Sequence, residues 1–233
     1  MKSKFPDIVF EDNHLLIINK RSSDIVQGDR TGDKPLVELM KEYIKEKYKK
    51  TGKVFLGSPH RLDRPTSGIL IFAKTTKALV RLNKMFRNRE VQKTYWAVVK
   101  NTPPNKKSTL INYLTKIEKI NKSIAVKEEV EGAKYAELSY DIIAKSDHYC
   151  LLEVLPKTGR HHQIRVQLSK IKCPIKGDVK YGFNRTNENA SIHLHARSIE
   201  FIHPVRKESM KIVAKTPEDP LWKYFSEMVE AGN

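Results

Sequence analysis

"HRLDRPTSGILIFAKT", residues 60–75, joins two unlike halves, and their reading decides how the chain folds. From Gly68 onward, GILIFAKT is apolar, β-branched and of strand length, the pattern of a buried strand. Ahead of it a single carboxylate, Asp63, stands between Arg61 and Arg64, with His60 before and Pro65, Thr66, Ser67 and Gly68 after. Pro65 and Gly68 shape the backbone, and Thr66 and Ser67 can hydrogen-bond neighbouring amides, so the polar half is a turn feeding the strand. A lone aspartate in a turn commonly faces solvent. Taken alone, the stretch favours that reading over a carboxylate held charged for chemistry.

Working outward, residues 7–20 (DIVFEDNHLLIINK) read as two short apolar strands around an Asp-Asn turn. Residues 21–35 have the Gly and Asp content of a loop. From Pro35 a helix places Leu36, Leu39, Met40, Tyr43 and Ile44 on one stripe, and the basic KKTGK with its Gly52 ends it. Downstream of residue 75, Leu79, Leu82, Met85 and Phe86 recur at helical spacing, and VQKTYWAVVK returns to strand composition.

Residues 109–155 read as an antiparallel β region, with Ala136, Leu138, Tyr140 and Ile142 alternating against polar neighbours. Residues 158–171 (TGRHHQIRVQLSKI) read as a turn and a helix that buries Ile164, Leu168 and Ile171. Two further strands, SIHLHARSIEFI and SMKIVAKT, precede a short C-terminal helix. Neither a repeat nor a linker interrupts this order. The expected fold is one α+β domain over residues 1–233, with a mixed, mainly antiparallel central sheet flanked by helices and loops.

Lys and Arg total 44 against 27 acids, a net charge of +17. Such a field favours polyanions, with nucleic acid first among them, although charge alone fits equally well an enzyme from a lysine-rich proteome. No stretch approaches the length of a membrane-spanning helix, and the N-terminus lacks the apolar core of a secretory signal. Cys150 and Cys173 lack metal-binding spacing and read as reduced, half-buried thiols of a cytoplasmic protein. Nucleotide-binding glycine fingerprints and the GxSxG elbow are absent. His193 and His195 share a strand face, but with no third ligand at a recognisable spacing they read as a structural pair.

Three more stretches are richer in polar and aromatic groups than a plain core requires. KTYWAVV puts Tyr95 and Trp96 on opposite faces of a strand, where one can reach a pocket and stack on a base. PKTGRHHQIRVQLSK crowds Arg160, His161, His162, Gln163 and Arg165 at a helix start, a natural anion site. CPIKGDVKYG is bounded by Pro and Gly and reads as a loop able to fold over a site.

In this order, HRLDRPTSG, KTYWAVV, TGRHHQIR and PIKGDVKYG resemble the successive motifs of the RluA family of pseudouridine synthases, and LHARSIEFIHP is similar to a further element. The resemblance runs from about Val9 to that last stretch. It implies isomerisation of uridine to pseudouridine in RNA, without cofactor or metal, by a monomer acting on rRNA, tRNA or both. The family's essential aspartate falls on Asp63, its active-site tyrosine on Tyr95 and the basic partner of the aspartate on Arg165. Arg61 takes the place of a wedge or phosphate contact, and His60, Arg160, His162 and Gln163 are further candidate RNA contacts.

Chemistry on a base inside a stem or structured loop requires the nucleotide to be flipped out, at a cost of about a few kcal/mol. Asp63 would then act as nucleophile at C1′, or as a base toward the ribose on a glycal route; both stay open. Several positions depart from the family pattern. NKRSSDIVQG keeps Lys20 but lacks the proline and glycine of a Lys-Pro-x-Gly block, and Gln167, Lys172 and Lys100 replace commoner residues. The S4 RNA-binding domain of many relatives is not expected here. The competing classes are a non-catalytic RNA binder or chaperone on the same scaffold and, further off, an RNA glycosidase or nuclease.

Overall fold

The computed structural model describes residues 3–28 and 32–232. In chain order its first elements are β1 (Asp7–Glu11), β2 (Leu15–Lys20), α1 (Leu36–Tyr48), β3 (Ser67–Ala73), α2 (Thr76–Arg87) and β4 (Gln92–Val99). They are followed by β5 (Lys107–Ile117), β6 (Lys122–Val126), β7 (Lys134–Lys145), β8 (Cys150–Pro156) and α3 (Gln163–Lys170). The last are β9 (Leu194–Ile202), β10 (Ser209–Val213) and α4 (Pro220–Ala231). The α+β class and the largely antiparallel pairing agree with the sequence reading. The loop expected over residues 21–35 includes 29–31, which lie outside the described residues.

The chain divides into two compact units, one of Met1–Gln92 with Ala196–Lys215, the other of Lys93–His195 with Thr216–Asn233. In the first unit the strands run in the order β1-β2-β3-β9, and β10 pairs with β9. β2 and β3 are antiparallel, with Leu16 opposite Phe72, Ile18 opposite Leu70 and Lys20 opposite Gly68. Leu16, Ile18, Leu70 and Phe72 pack with Leu36, Met40 and Ile44 of α1. The alternate residues Leu15, Ile17, Ile69 and Ile71 pack with Ala78, Leu82 and Met85 of α2. Helices therefore cover both faces of this hairpin. That is why GILIFA reads as a continuous apolar run rather than an alternation, and why all seven residues of β3 are buried.

α1 stops earlier than its glycine suggests. Lys49 takes the left-handed conformation (φ 50°) and returns its N–H to the Lys45 carbonyl, so Gly52 lies beyond the helix. The left-handed turn at Lys49, after which the Lys50 N–H also reaches the Lys45 carbonyl at 3.1 Å, ends the helix on a lysine.

The second unit runs β4-β8-β7-β5-β6, antiparallel throughout. Ala97, Val99, Leu152 and Val154 meet Ile164 and Leu168 of α3 on one face, while Trp96, Val98 and Leu151 meet Trp222 and Phe225 of α4 on the other. Tyr95 packs on the α3 side, so the two adjacent aromatics do face apart, as expected. The single buried face expected for α3 needs correction: Gln163, Arg165 and Gln167 are buried along with Ile164, Val166 and Leu168. Hydrogen bonds make this tolerable; Gln167, for example, donates through Nε2 to the Leu110 carbonyl at 2.9 Å. Cys150 and Cys173 are free thiols, fully rather than half buried, and burial pushes the Cys173 thiol up to about 11.

Candidate active site

The turn ahead of β3 is built on buried polar groups. The Thr66 N–H donates to the Asp63 carbonyl at 3.0 Å and closes the turn. Lys20, at the end of β2, is only 1 % exposed, and its Nζ donates to the carbonyls of Arg21 (2.9 Å), Arg64 (3.0 Å) and Thr66 (2.8 Å). All three Nζ–H donors of an ammonium are thereby used, two of them on the turn that carries Asp63. Burial pulls the Lys20 pKa down to about 8, against the attraction of Asp24 and Asp63. At neutral pH this lysine is a buried positive charge beneath the Asp63 turn.

Gly68 is required where that turn enters the strand. Its φ is +112°, and a Cβ there would lie 2.4 Å from the Ala196 carbonyl oxygen and 2.5 Å from the Ala196 nitrogen. Asp63 itself is half-buried, and Arg61 is exposed. Arg64, for which the motif suggests no task, ion-pairs with Asp33, and its carbonyl also accepts from the Ser23 N–H at 2.9 Å. The Thr66 hydroxyl departs from expectation. It is buried and has no hydrogen-bond partner among the described residues, because the backbone N–H closes the turn instead. His60 accepts the Ile71 N–H on Nε2 at 3.0 Å and stacks on Phe86 at 4.7 Å, which gives it a task in the scaffold.

In the second unit the TGRHHQ loop is closed on its own side chains. Gln163 is 4 % exposed; its Oε1 accepts from Thr158 Oγ1 at 2.7 Å and the Arg160 N–H at 3.0 Å, and its Nε2 donates to the Glu137 carbonyl at 3.0 Å. The Gln163 amide is thus committed to shaping the loop. Arg160 donates through Nε to the Tyr135 carbonyl at 2.8 Å. His162 takes a left-handed φ of 54°, stacks on His161 at 3.7 Å and places Nδ1 2.8 Å from the Tyr181 hydroxyl. Tyr95, half-buried in β4, stands opposite Val154 of β8.

Arg165 projects from α3 onto Asp178. Nε and Nη2 donate to the two carboxylate oxygens at 2.7 and 2.8 Å, and the Tyr181 ring lies 4.9 Å from the guanidinium carbon. The His193 part of the structural-pair reading holds: His193 stacks on Trp222 and places Nε2 3.1 Å from Asp219 Oδ1. No group of three or more His, Cys, Asp or Glu among the described residues could hold a metal ion.

The structure thus places His60, Arg61 and Asp63 on one loop of the first unit, and Tyr95, Arg160, His162, Gln163 and Arg165 in the second. Sequence reasoning did not find Lys20, Asp178 or Tyr181 as supports. The GD and YG of the 176–182 segment were visible, but a loop with no stated partner assigns them nothing.

A family model described as RNA pseudouridylate synthase matches residues 14–170. The ribosomal large subunit pseudouridine synthase C of Buchnera aphidicola subsp. Schizaphis graminum is 37% identical over 232 residues, covering 96% of this chain and 70% of that protein. The tRNA pseudouridine synthase C of Vibrio cholerae serotype O1 is 31% identical over 237 residues, covering 93% of each. The solved structure of Human RNA Pseudouridylate Synthase Domain Containing 4 superposes with a TM-score of 0.78 at 24% identity, over 96% of this chain and 93% of that one, a likeness of fold.

The class is that of enzymes that isomerise a nucleoside within RNA. The chain belongs to the RNA pseudouridylate synthase family, whose members convert uridine to pseudouridine.

Proposed function

We propose that this chain modifies one or more uridines in stem-loops of large-subunit rRNA or of tRNA, with Asp63 as the reacting carboxylate. The observation that carries the assignment is the Asp63 turn itself, pinned from beneath by the buried Lys20 ammonium through the carbonyls of Arg64 and Thr66. A backbone fixed in this way aims the carboxylate. The N-glycosidic bond breaks with its electron pair leaving on the uracil, the base turns, and C5 bonds C1′ as the C5 proton is lost. Asp63 serves this either by attacking C1′ or by taking a ribose proton.

Tyr95 stacks on the uracil and helps remove the C5 proton, and Arg165 is the cation that orients the reacting groups. Arg61, exposed beside Asp63, contacts the phosphate backbone or fills the space left by the flipped nucleotide. His60, Arg160, His162 and Gln163, the further RNA contacts of this reading, stand on two loops that they also help to shape. In this reading residues 1–233 make one catalytic domain, working as a cytoplasmic monomer without metal or cofactor. No helix among the described residues is long and apolar enough to cross a membrane. The ribosomal relative is the more identical of the two and the tRNA relative the more nearly equal in length, so both RNA pools belong in the test.

Tritium release from RNA labelled at uridine C5 tests the proposal, with rRNA and tRNA fractions from cells lacking the gene. Wild type is expected to release tritium from at least one fraction, and Asp63→Asn to fall at least about a thousandfold. Binding without release by wild type, or near-normal release by the variant, would overturn it.

A further inference from the structure

The segment KGDVKYG, residues 176–182, supplies two groups that hold Arg165. Asp178 holds one edge of the guanidinium through Nε and Nη2, and Tyr181 holds its face. Both charges of the pair are withdrawn from water, with side-chain exposures of 5% for Arg165 and 1% for Asp178.

We propose that Asp178, with Tyr181 behind it, is a positioning residue that sets the plane of the Arg165 guanidinium for the isomerisation step. The inference rests on the synthase reading in which Arg165 serves the reaction. A fork-to-fork pair fixes orientation as well as charge, and it engages the Nε–Nη2 edge, so the Nη1 edge is directed away from Asp178. An arginine has several freely rotating bonds. Fixing them beforehand removes the reorganisation otherwise needed in the transition state.

The clamp is itself held on several sides. Gly177 has φ +86°, and a Cβ there would approach Asn187 Nδ2 to 2.6 Å and the Ser191 carbonyl oxygen to 2.7 Å. The Asp178 N–H donates to the Ile175 carbonyl at 3.0 Å, and the Asp178 carbonyl accepts from Tyr181 N at 3.0 Å and Phe183 N at 3.1 Å. The Tyr181 hydroxyl accepts the Ser123 N–H at 2.9 Å. A pair that served only to tie α3 to this loop would gain little from full burial, since taking two charges out of water offsets much of their attraction. A guanidinium that must point one way gains directly.

The test is single-turnover tritium release, with the full chain in excess over C5-tritiated total RNA from cells lacking the gene. Asp178→Asn, assayed below its thermal transition, is expected to slow the saturated rate at least about thirtyfold while half-saturation stays within about threefold. In an Arg165→Lys background, where no fork exists, the same substitution is expected to slow the rate less than about threefold further. Asp178→Glu keeps the charge but displaces the fork by one methylene; it is expected to be intermediate, and it replaces Asp178→Asn should that variant not fold. Equal slowing in both backgrounds, or a lowered melting temperature with a wild-type rate, overturns the positioning role. A wild type that releases no tritium overturns the synthase reading itself, a result that no Asp178 variant can mimic.

Discussion

Lys20 Nζ lies 2.8 Å from the Thr66 carbonyl oxygen, while the Lys20 backbone stands opposite Gly68 in the β2–β3 pair. One residue therefore grips the end of the Asp63 turn and the start of the following strand at once. Replacing Lys20 with Met keeps the apolar stem and removes three charge-assisted donors; the Arg64 carbonyl keeps the Ser23 N–H, but the carbonyl of the buried Thr66 loses its Lys20 donor. The loss is partly offset because an ammonium no longer has to be buried. A net loss of about 2–4 kcal/mol is expected in urea unfolding, with tritium release lowered more than tenfold under conditions where the variant is fully folded. Wild-type stability in Lys20→Met would show that the three carbonyls do not depend on this side chain.

Gly68→Ala meets two obstacles together, a φ of +112° and a backbone only 2.4 Å from the new methyl carbon. The obstacle is main chain rather than the end of a flexible side chain, so neither can yield cheaply. A loss of about 3 kcal/mol or more is expected, and circular dichroism melting reads it directly. A variant that melts within about 2 °C of wild type would rule out the close approach.

The fold was legible where packing leaves a periodic mark. β2, β3 and their two covering helices announce themselves through apolar runs and helical stripes, because the strands are covered on both faces and each helix buries one stripe against them. The site was only partly legible. Asp63 reads as an ordinary turn residue until the later motifs accompany it, since the physical support of its turn comes from Lys20, 46 positions before Thr66. α3 shows why such support escapes a local reading. Nothing in the local sequence marks Gln163, Arg165 and Gln167 as buried, yet Arg165 finds a partner 13 positions away and Gln167 finds one 57 positions away. Polar burial leaves no period, because any distant carbonyl or carboxylate can satisfy it.

Glu11 links stability of the first unit to pH. Burial raises its pKa, but hydrogen bonds from Lys47, Lys74, Tyr48 and Tyr43 outweigh that and bring it to about 2, from an ordinary value of 4.5. A depressed carboxylate stabilises the fold above its unfolded pKa, and that contribution is lost as pH falls from about 4.5 toward 2. Glu11→Gln is therefore expected to lower stability by up to about 3 kcal/mol at pH 7, with the gap to wild type closing toward pH 2. Urea titrations across that range read the gap. A difference independent of pH would assign the effect to packing instead of charge.

Tyr95 separates stacking from proton transfer. Its ring packs with the core beside α3 in the second unit, so Tyr95→Phe retains the aromatic body and its burial while removing only the hydroxyl. If the hydroxyl assists loss of the C5 proton, the variant should bind RNA as wild type does and slow the saturated rate by about a hundredfold or more. The slowing should fall on the last step. RNA quenched during a single turnover would then hold uracil already attached through C5 while still carrying the C5 tritium. Tyr95→Leu, which lacks the aromatic face, should in addition raise the RNA concentration needed for half-saturation. Equal rates for Tyr95→Phe and wild type would restrict Tyr95 to stacking and pass the proton to another group or to water.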